Sequence, residues 1–253
     1  MHVPHALEGK TALVTGASTG LGRQMALTLA HAGARVALAS RSARRLEEVA
    51  EEIAGFDGRA MPFTLDVRDV EAVQDVVEGV ETELGPVHIL VNNAGISIGK
   101  RPEDFTEEDY DDVIGTNLKG PWFMAQAVGR KMIQHGHGGK IINIASLLAL
   151  KPLGQLTLYA MTKAAVVQMT KQLALEWARH DIQVNALCPG YIETEMNREH
   201  WESEAGKKLL ARFPRRRLGQ PEVLDGMLLL LASDQSDFIT GAVIPVDDGQ
   251  ALG

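Results

Sequence analysis

The stretch TALVTGASTGLGRQMALTLAHAG, residues 11–33, decides the fold. It opens with a short run of β-forming residues, passes through a glycine-rich turn, and continues with helical spacing of apolar residues as far as Gly33. Gly16, Gly20 and Gly22 give the turn the spacing G-x-x-x-G-x-G. Glycine permits a tight turn and a close approach of the backbone to a pyrophosphate, and helix N-terminal amides favour anions. The stretch therefore predicts a strand, a phosphate-binding turn and a helix in series.

The same alternation of apolar runs and amphipathic stretches continues to the C-terminus. Further strands are expected at residues 35–40, 60–67, 88–95, 139–146, 182–190 and 241–249, and helices at 43–56, 70–85, 107–120, 121–135, 157–180 and 227–232. Short strands that are apolar throughout are typical of a sheet with helices on both faces. We therefore expect the α/β class, with a single-domain Rossmann fold and a doubly wound, parallel, seven-stranded sheet flanked by helices.

Composition limits the function classes. The chain has 253 residues, which suits one large α/β domain spanning residues 1–253. Its formal net charge of −8 disfavours nucleic acid or an anionic membrane as a partner. The single cysteine, Cys188, excludes an intrachain disulfide and suits a reducing compartment. The N-terminal residues contain no apolar signal core, so a cytoplasmic location is expected.

Residues 190–220 form the least regular part of the sequence. They follow the sixth expected strand and contain YIETEMNREHWESEAGKKLLARFPRRRLGQP. Ligands of open α/β sheets bind outside the carboxyl ends of the strands, and binding residues concentrate on loops there. We therefore expect this segment to act as a substrate lid.

The residues after the second strand bear on the choice of nucleotide. A chain that binds NAD normally carries Asp or Glu there for the ribose hydroxyls. This chain has Ser40 and Arg41, and a guanidinium matches the geometry of a 2′-phosphate. We expect NADP(H) to be favoured over NAD(H), with Ser42, Arg44 or Arg45 assisting Arg41. The alternative is that Arg41 is only a solvated residue at the entry to a helix.

Seven short motifs follow one another in a fixed order. They are TGASTGLG, LDV with Asp66, NNAG (Asn92–Gly95), Asn117, Ser146, YAMTK and PGYIET (Pro189–Thr194). Each motif alone has low specificity. Together they resemble the short-chain dehydrogenase/reductase family in its single-domain form, and the resemblance extends from about Gly9 to Gly249. The general layout is similar to that of 3-oxoacyl reductases within the family. One departure is VDDG (Val246–Gly249), where Asp248 stands in place of a common second glycine.

The resemblance implies a role for each motif. Asp66 and Val67 would lie beside the adenine, and Asn93, Ala94 and Gly95 would line the ribose and brace the sheet. Pro189, Gly190, Ile192 and Thr194 would cover the nicotinamide. It further implies a homotetramer built by the helices around 107–135 and 157–180 and by the C-terminal strand. The full set of expected cofactor-binding residues is Gly16, Ser18, Thr19, Gly20, Leu21, Gly22, Ser40, Arg41, Asp66, Val67, Asn93, Ala94, Gly95, Tyr159, Lys163, Pro189, Gly190, Ile192 and Thr194.

Four polar residues resemble the catalytic tetrad of the family: Asn117, Ser146, Tyr159 and Lys163. Reduction of a carbonyl needs a proton for the developing alkoxide. Tyr159 and Lys163 are four residues apart, so both project from one face of a helix, and a nearby ammonium favours phenolate. We expect Lys163 to lower the pKa of Tyr159, Ser146 to contact the substrate oxygen, and Asn117 to hold a water that relays protons from Lys163.

Several alternatives stay open at this stage. The favoured reaction is NADP(H)-dependent interconversion of a ketone, or a 3-oxoacyl thioester, with its secondary alcohol. A non-catalytic dinucleotide-binding regulator, an NAD-dependent alcohol or sugar dehydrogenase, and a sugar-nucleotide epimerase or dehydratase are the competitors; the last usually needs a further substrate domain. His135 and His137 are read as a solvated loop, so no metal is expected. An apolar substrate is expected from the residues that would border its space: Leu147, Leu148, Leu153, Leu156, Tyr191, Met196 and Trp201.

Overall fold

The computed structural model describes residues 6–195 and 197–252 and confirms the α/β class. Its strands are β1 (Thr11–Thr15), β2 (Arg35–Ser40), β3 (Arg59–Thr64), β4 (Ile89–Asn92), β5 (Gly139–Ile144), β6 (Ile182–Pro189) and β7 (Val243–Val246). Its α-helices are α1 (Gly20–His31), α2 (Ala43–Ala54), α3 (Val70–Leu84), α4 (Glu107–Ile114), α5 (Gly120–His135), α6 (Thr157–Trp177), α7 (Arg198–Glu202), α8 (Glu204–Leu210) and α9 (Asp225–Ala232).

The seven strands form one parallel sheet in the order β3-β2-β1-β4-β5-β6-β7. The strand order reverses between β1 and β4, which is where α/β sheets of this type bind ligands. Two apolar cores cover the sheet. One includes buried residues of α3, α5 and α6, and the other includes buried residues of α1, α2 and α9. The sheet thus directs the carboxyl ends of β1, β4, β5 and β6 towards one edge.

The strands β3, β4, β5 and β7 end two or three residues earlier than expected, and the ends of β3 and β4 bear on the cofactor residues. β3 ends at Thr64, so Asp66 and Val67 lie in the loop that follows it. β4 ends at Asn92, which places Asn93, Ala94 and Gly95 beyond the sheet edge. The first finding moves Asp66 and Val67 from a strand into a loop, and the second agrees with the expected polar turn at the end of the fourth strand, so both sets of residues lie at the carboxyl edge of the sheet where ligands of such folds bind.

The rod formed by α4 and α5 contains the largest local departure from the expected elements. Residues Gly115–Lys119 form a π-helical turn in which the Gly120 amide donates to the Gly115 carbonyl. The separate helices expected at 107–120 and 121–135 are therefore a rod with one widened turn. Asn117 lies in that turn and is fully buried. π-Turns inside α-helices are frequent at functional sites, and this one directs Asn117 towards the sheet.

The 190–220 segment is more ordered than its composition suggested. It contains the short helices α7 and α8, and its two ends pair with each other through a bridge between Ile192 and Gly219. Tyr191, Trp201 and Phe213 form an aromatic cluster within it, with ring centroids 5.1 to 6.2 Å apart. Met196, one of the residues expected to border the substrate, lies outside the described residues.

Candidate active site

The glycine-rich turn connects β1 to α1 and includes Ser18, Thr19 and Leu21. Gly16 and Gly20 have positive φ angles of 67° and 53°, a region that disfavours residues with a Cβ. A Cβ on Gly22 would lie 2.1 Å from the Gly16 carbonyl oxygen. The turn therefore keeps the backbone bare at the first residues of α1, and the Thr19 side chain makes no capping bond to that helix. This cradle fits a pyrophosphate placed at a helix N-terminus.

A second set of contacts fixes the turn to the neighbouring strand. The Asn93 and Ala94 amides donate to the Thr15 hydroxyl at 3.0 and 3.1 Å, and the Asn93 side chain donates to the Thr15 carbonyl at 3.0 Å. These bonds join the ends of β1 and β4 at the point where the strand order reverses. Asn93 and Ala94 thus hold β4 against β1 through Thr15, a residue that was missing from the sequence-based set.

The loop after β3 carries an ion-pair network. Arg68 donates to both oxygens of Asp66, at 2.8 Å for its closest contact, and to Asp112 of α4 at 2.6 Å. The hydrogen bond from Arg68 holds the pKa of Asp66 below its ordinary value, and the charge of Arg41 adds to the shift. Val67 packs against the start of α5, where a Cβ on Gly120 would lie 2.7 Å from its side chain.

Arg41 is exposed just beyond β2, and its neighbour Ser40 accepts a hydrogen bond from the Ser42 amide at 3.3 Å. Arg44, which was expected to assist Arg41, instead pairs with Glu48 one helical turn away at 2.8 Å. The Ser40–Arg41 edge brings no carboxylate to the end of β2, so a 2′-phosphate would meet no repulsion from these two residues.

Residues at the end of β6 lie against the C-terminal turn. The Gly190 amide donates to Val246 at 3.0 Å, and a Cβ on Gly190 would lie 2.5 Å from the Gln250 side-chain oxygen. Pro189 and Ile192 are buried. The Thr194 side chain lies 3.5 Å from the position that a Cβ on Gly20 would take. The start of the 190–220 segment therefore lies beside the glycine-rich turn.

Tyr159 and Lys163 occupy successive turns of α6, as their spacing predicted. The Lys163 ammonium lies 5.6 Å from the centroid of the Tyr159 ring and donates to the Ile144 carbonyl of β5 at 2.7 Å. It also lies 3.6 Å from the position that a Cβ on Gly95 would take. Lys163 is 4% exposed, and burial lowers its pKa to about 8. The structure thus brings α6, β5 and the loop after β4 together at one buried cation.

Ser146 follows β5 and faces the same cluster. Its hydroxyl accepts a hydrogen bond from the Leu148 amide at 3.1 Å, and it also interacts with the Tyr159 phenol. Burial raises the pKa of Tyr159, and the bond to Ser146 offsets only part of that shift. The expectation that Lys163 lowers the Tyr159 pKa is therefore wrong for the protein's own groups. The physical reason is that burial opposes ionisation of the phenol and is the largest cause of the shift, while Lys163 is not among the groups that shift this pKa.

Asn117 is joined to this cluster through its carboxamide. Its oxygen accepts from the Ile96 amide at 2.8 Å, while its amino group donates to the Ile96 carbonyl at 2.8 Å and to the Thr162 hydroxyl at 3.2 Å. Thr162 in turn donates to the Tyr159 carbonyl at 2.7 Å. The side chain is therefore engaged in holding the loop after β4 against α6.

The expected substrate-lining residues divide into two groups. Leu147 and Leu148 are buried, whereas Leu153 is more than one-third exposed. Trp201 is buried within the aromatic cluster, and its indole N–H has no acceptor among the residues described. Sequence reasoning missed Arg68, Thr162 and Gln250; their one signal is their position beside Asp66, Lys163 and Gly249.

The two loop histidines do not converge on a metal site. His135 contacts Glu81 at 3.1 Å, and His137 stacks between His135 and His88. Within residues 6–195 and 197–252, no three metal-ligating side chains come together. In the same ranges, no helix is both long and apolar enough to cross a membrane.

The sequence model of short chain dehydrogenases matches residues 10–205. The chain belongs to that family. It is 41% identical over 244 residues to a 2-dehydro-3-deoxy-D-gluconate 5-dehydrogenase of Dickeya dadantii, covering 96% of both chains. It is 40% identical over 246 residues to the 3-oxoacyl-[acyl-carrier-protein] reductase of Thermotoga maritima, covering 97% of this chain and 99% of that one.

A solved structure matches the fold equally well. The crystal structure of a gluconate 5-dehydrogenase from Burkholderia cenocepacia in complex with NADP and tartrate has a TM-score of 0.93 and 37% identity, covering 98% of this chain and 97% of that one. As a member of the family, this chain is an oxidoreductase that acts on CH–OH groups with NAD(P). The glycine cradle described above provides the space that such a dinucleotide needs.

Proposed function

We propose that this enzyme uses NADP(H) to interconvert a secondary alcohol and its ketone, with a polyhydroxylated small molecule as substrate. The observation that carries the proposal is the cluster of the buried Asn117, Ser146 and Lys163 with the half-buried Tyr159 beside the glycine cradle. A Tyr or a Ser with only a surface role is not expected to meet other polar side chains from separate elements. Four polar groups brought together from α4–α5, β5 and α6 support a reaction centre.

The chemistry follows from the protonation states of these groups. Bound nicotinamide supplies or accepts the hydride. Tyr159, whose pKa is raised by burial, is protonated at neutral pH and donates its proton to the developing alkoxide during reduction. Ser146 donates a hydrogen bond to the same oxygen, which stabilises negative charge as it develops.

Lys163 and Asn117 support the proton transfer through their effects on Tyr159. Lys163, held by the Ile144 carbonyl, attracts negative charge on the phenol once the proton has left. Asn117 fixes the loop at Ile96 and, through Thr162, the backbone of Tyr159. In the oxidation direction Tyr159 accepts the alcohol proton, a role that its raised pKa makes harder at neutral pH.

The preference for NADP(H) rests on the Ser40–Arg41 edge. Arg41 lies near enough to Asp66 to influence its ionisation, and it is exposed where a ribose 2′-substituent would lie in a fold of this type. The relative from Burkholderia cenocepacia was crystallised with NADP. An arginine that pairs with a 2′-phosphate makes a charge-assisted bond that NAD(H) does not offer.

The proposed substrate class differs from the apolar one that the sequence suggested. Leu147 and Leu148 are buried but belong to neither of the two apolar cores that cover the sheet, so their burial by itself does not argue for an apolar substrate. The buried Trp201 N–H supplies a donor that a substrate hydroxyl or carboxylate can satisfy. The Dickeya dadantii and Burkholderia cenocepacia relatives are named for sugar acids. These observations favour a hydroxylated acid or polyol.

A 3-oxoacyl thioester is the second candidate, because the Thermotoga maritima relative is named as a 3-oxoacyl-[acyl-carrier-protein] reductase. The two are separated by measuring NADPH oxidation with keto-sugar acids and with an acetoacetyl thioester. We expect a higher kcat/KM for a keto-sugar acid. A thioester preferred by tenfold or more would reverse the assignment, and the absence of turnover with any carbonyl would remove the proposed reaction.

We also propose that one domain performs all of this and that it assembles as a homotetramer in the cytoplasm. An apolar groove between α5 and α6 is lined by Leu118, Trp122, Phe123 and Met169, and Trp122 is 41% exposed. A second copy seated on these helices would cover it. Light scattering on the Trp122→Glu variant tests this: loss of the tetramer is expected, and an unchanged mass would exclude this face.

A further inference from the structure

The C-terminal turn contains a residue in a conformation that its side chain disfavours. Asp248 has a φ of 55°, and it stands where the resemblance would place a glycine. Left-handed backbone is costly for a residue with a Cβ, and Asp or Asn tolerate it better than most. Such a conformation persists only where surrounding contacts hold it. The contacts of Asp248 therefore bear on why an aspartate occupies this position.

The carboxylate of Asp248 joins two arginines from the end of the 190–220 lid segment. Arg215 donates to one oxygen at 2.9 Å, and Arg217 donates to both oxygens, at 2.7 and 3.2 Å. Arg216, between the two, has a φ of 50°, so a second left-handed residue presents the pair. The bond from Arg217 lowers the pKa of Asp248, which keeps the carboxylate ionised at neutral pH.

The same turn also holds the beginning of the lid segment. The Gln250 side-chain oxygen accepts from the Tyr191 amide at 2.8 Å. Asp247 accepts from the Gly249 and Ala251 amides at 3.0 and 2.7 Å, which fixes the shape of the turn from within. Residues 247–250 thus contact both ends of the lid segment, by a neutral bond at its start and by ion pairs at its end.

The position of the lid segment connects these contacts to the nucleotide. Its ends pair with each other, since Gly219 donates to the Tyr191 carbonyl at 3.0 Å and Glu193 donates to the Gly219 carbonyl at 2.9 Å. Thr194 then lies beside the glycine-rich turn, with its side chain 3.5 Å from the position that a Cβ on Gly20 would take. A change in how the C-terminal turn holds Arg215 and Arg217 is therefore transmitted to residues that lie over the cofactor cradle.

We propose that Asp248, through Arg215 and Arg217, latches the lid segment closed over the nucleotide and thereby sets the rate at which nucleotide leaves. In this role Asp248 is a positioning residue that acts through the two arginines. The two arginine side chains are 61% and 58% exposed, so salt weakens the latch. The inference uses the NAD(P) binding of the family and does not depend on the choice of substrate.

The closure of the lid is tested first without nucleotide, by hydrogen exchange of the backbone amides in residues 190–220. Asp248→Asn keeps a residue that tolerates the left-handed backbone and removes the charge. We expect lid amides to exchange about fivefold faster at low salt, the size of a small exposed ion-pair network. Asp248→Gly, which relieves the backbone, should loosen the lid equally and remain folded. Unchanged exchange in both variants overturns the latch.

The effect of the latch on the rate of nucleotide release is measured by stopped-flow release of NADPH and of NADH. Release should be about fivefold faster in Asp248→Asn for both coenzymes, and the variant should lose most of the salt dependence that wild type shows with NADH. Combining it with Arg215→Gln and Arg217→Gln should add nothing further. Glu204→Gln, which breaks the Lys207 pair inside the lid, is the matched control and should leave release unchanged.

The outcomes distinguish a failure of the latch from a failure of the proposed function. Additive effects of the aspartate and arginine substitutions, or unchanged release from a loosened lid, would refute the latch as a control of nucleotide release. Failure of wild type to bind either coenzyme would refute the proposed function, while the exchange experiment would still decide whether Asp248 holds the lid.

Discussion

The reaction cluster and the lid latch are built in opposite ways. Lys163 and Asn117 are buried, and each is held by neutral partners: a carbonyl, a backbone amide, a hydroxyl. Asp248 and its two arginines lie at the surface and are held by charge. Burial lowers the pKa of Lys163 to about 8, whereas the hydrogen bond from Arg217 lowers the pKa of Asp248. Ion pairs in water are weak and adjustable, while buried polar groups are costly to disturb.

This contrast teaches where the enzyme tolerates change. Removing a group from the buried cluster leaves its partners without hydrogen bonds in an apolar setting, which costs more than the bond itself contributed. Removing one charged group of the latch leaves the remaining charged groups hydrated by water, so little stability is lost. We therefore expect large, structure-dependent losses from substitutions in the cluster and small, salt-dependent ones at the lid.

The largest effect is expected from Tyr159→Phe, which keeps the ring and deletes the proton donor. Loss of a positioned acid typically costs 10²- to 10⁴-fold, so kcat should fall by about 10³-fold while the coenzyme dissociation constant is retained. Tyr110→Phe, on an exposed tyrosine of α4, controls for loss of a hydroxyl. Steady-state rates and coenzyme fluorescence give both quantities. A rate within threefold of wild type would exclude Tyr159 from the chemistry.

The next effect is expected from Gly22→Ala in the glycine cradle. The new Cβ would meet the Gly16 carbonyl, so the turn must shift, and overpacking of this kind costs about 1–3 kcal/mol. Gly226→Ala, in the exposed first turn of α9 where a Cβ meets nothing within 4 Å, is the matched control. It should be neutral or stabilising. Urea unfolding and coenzyme titration check both; equal stability of the two variants would contradict the geometry.

Arg41→Ala should act on one coenzyme only. Losing a charge-assisted bond to the 2′-phosphate should weaken NADPH binding by about tenfold and leave NADH binding unchanged. Arg44→Ala removes an arginine already paired with Glu48 and serves as the control. Dissociation constants for both coenzymes decide the matter. Equal weakening of NADPH and NADH would assign Arg41 a structural role instead.

The smallest effect concerns pH. The folded pKa of Lys163 is about 8, below its ordinary value of 10.5, so between these pH values the unfolded chain binds the extra proton. Stability of wild type should therefore gain about 1 kcal/mol per pH unit from this residue between pH 8 and 9. Lys163→Met should lack that gain, and Lys171→Met on the exposed face of α6 should keep it. If the free energy of unfolding changed with pH in the same way in all three proteins, Lys163 would be in contact with water instead of buried.

Much of the fold was predictable because its signals are local. The apolar runs predicted the strands, and the spacing of Tyr159 and Lys163 placed both on one face of α6. The glycines of residues 16–22 indicated a phosphate turn because the close approach of Gly22 to Gly16 excludes any larger residue. Periodicity and backbone crowding act within a few residues, so sequence alone records them.

Other features depend on the balance of distant groups. The sequence suggested a lowered pKa for Tyr159, because it shows the neighbouring Lys163 and hides the desolvation of both groups. It showed VDDG as a departure, but the partners of Asp248 stand more than thirty residues earlier. Leu147 and Leu148 looked like pocket residues because apolar side chains line pockets and cores alike.

The π-turn at residues 115–119 has a consequence for how this chain can vary in length. It accommodates one extra residue relative to a regular helix. Because the widened turn absorbs that residue locally, the α-helical turns on either side keep the phase of one continuous rod. Met124, Val128 and Met132 therefore stay on the buried side of α5. Deleting one residue at the turn should restore regular α-helical geometry and leave α5 in phase with its core, while Asn117 would lose the widened turn that places it.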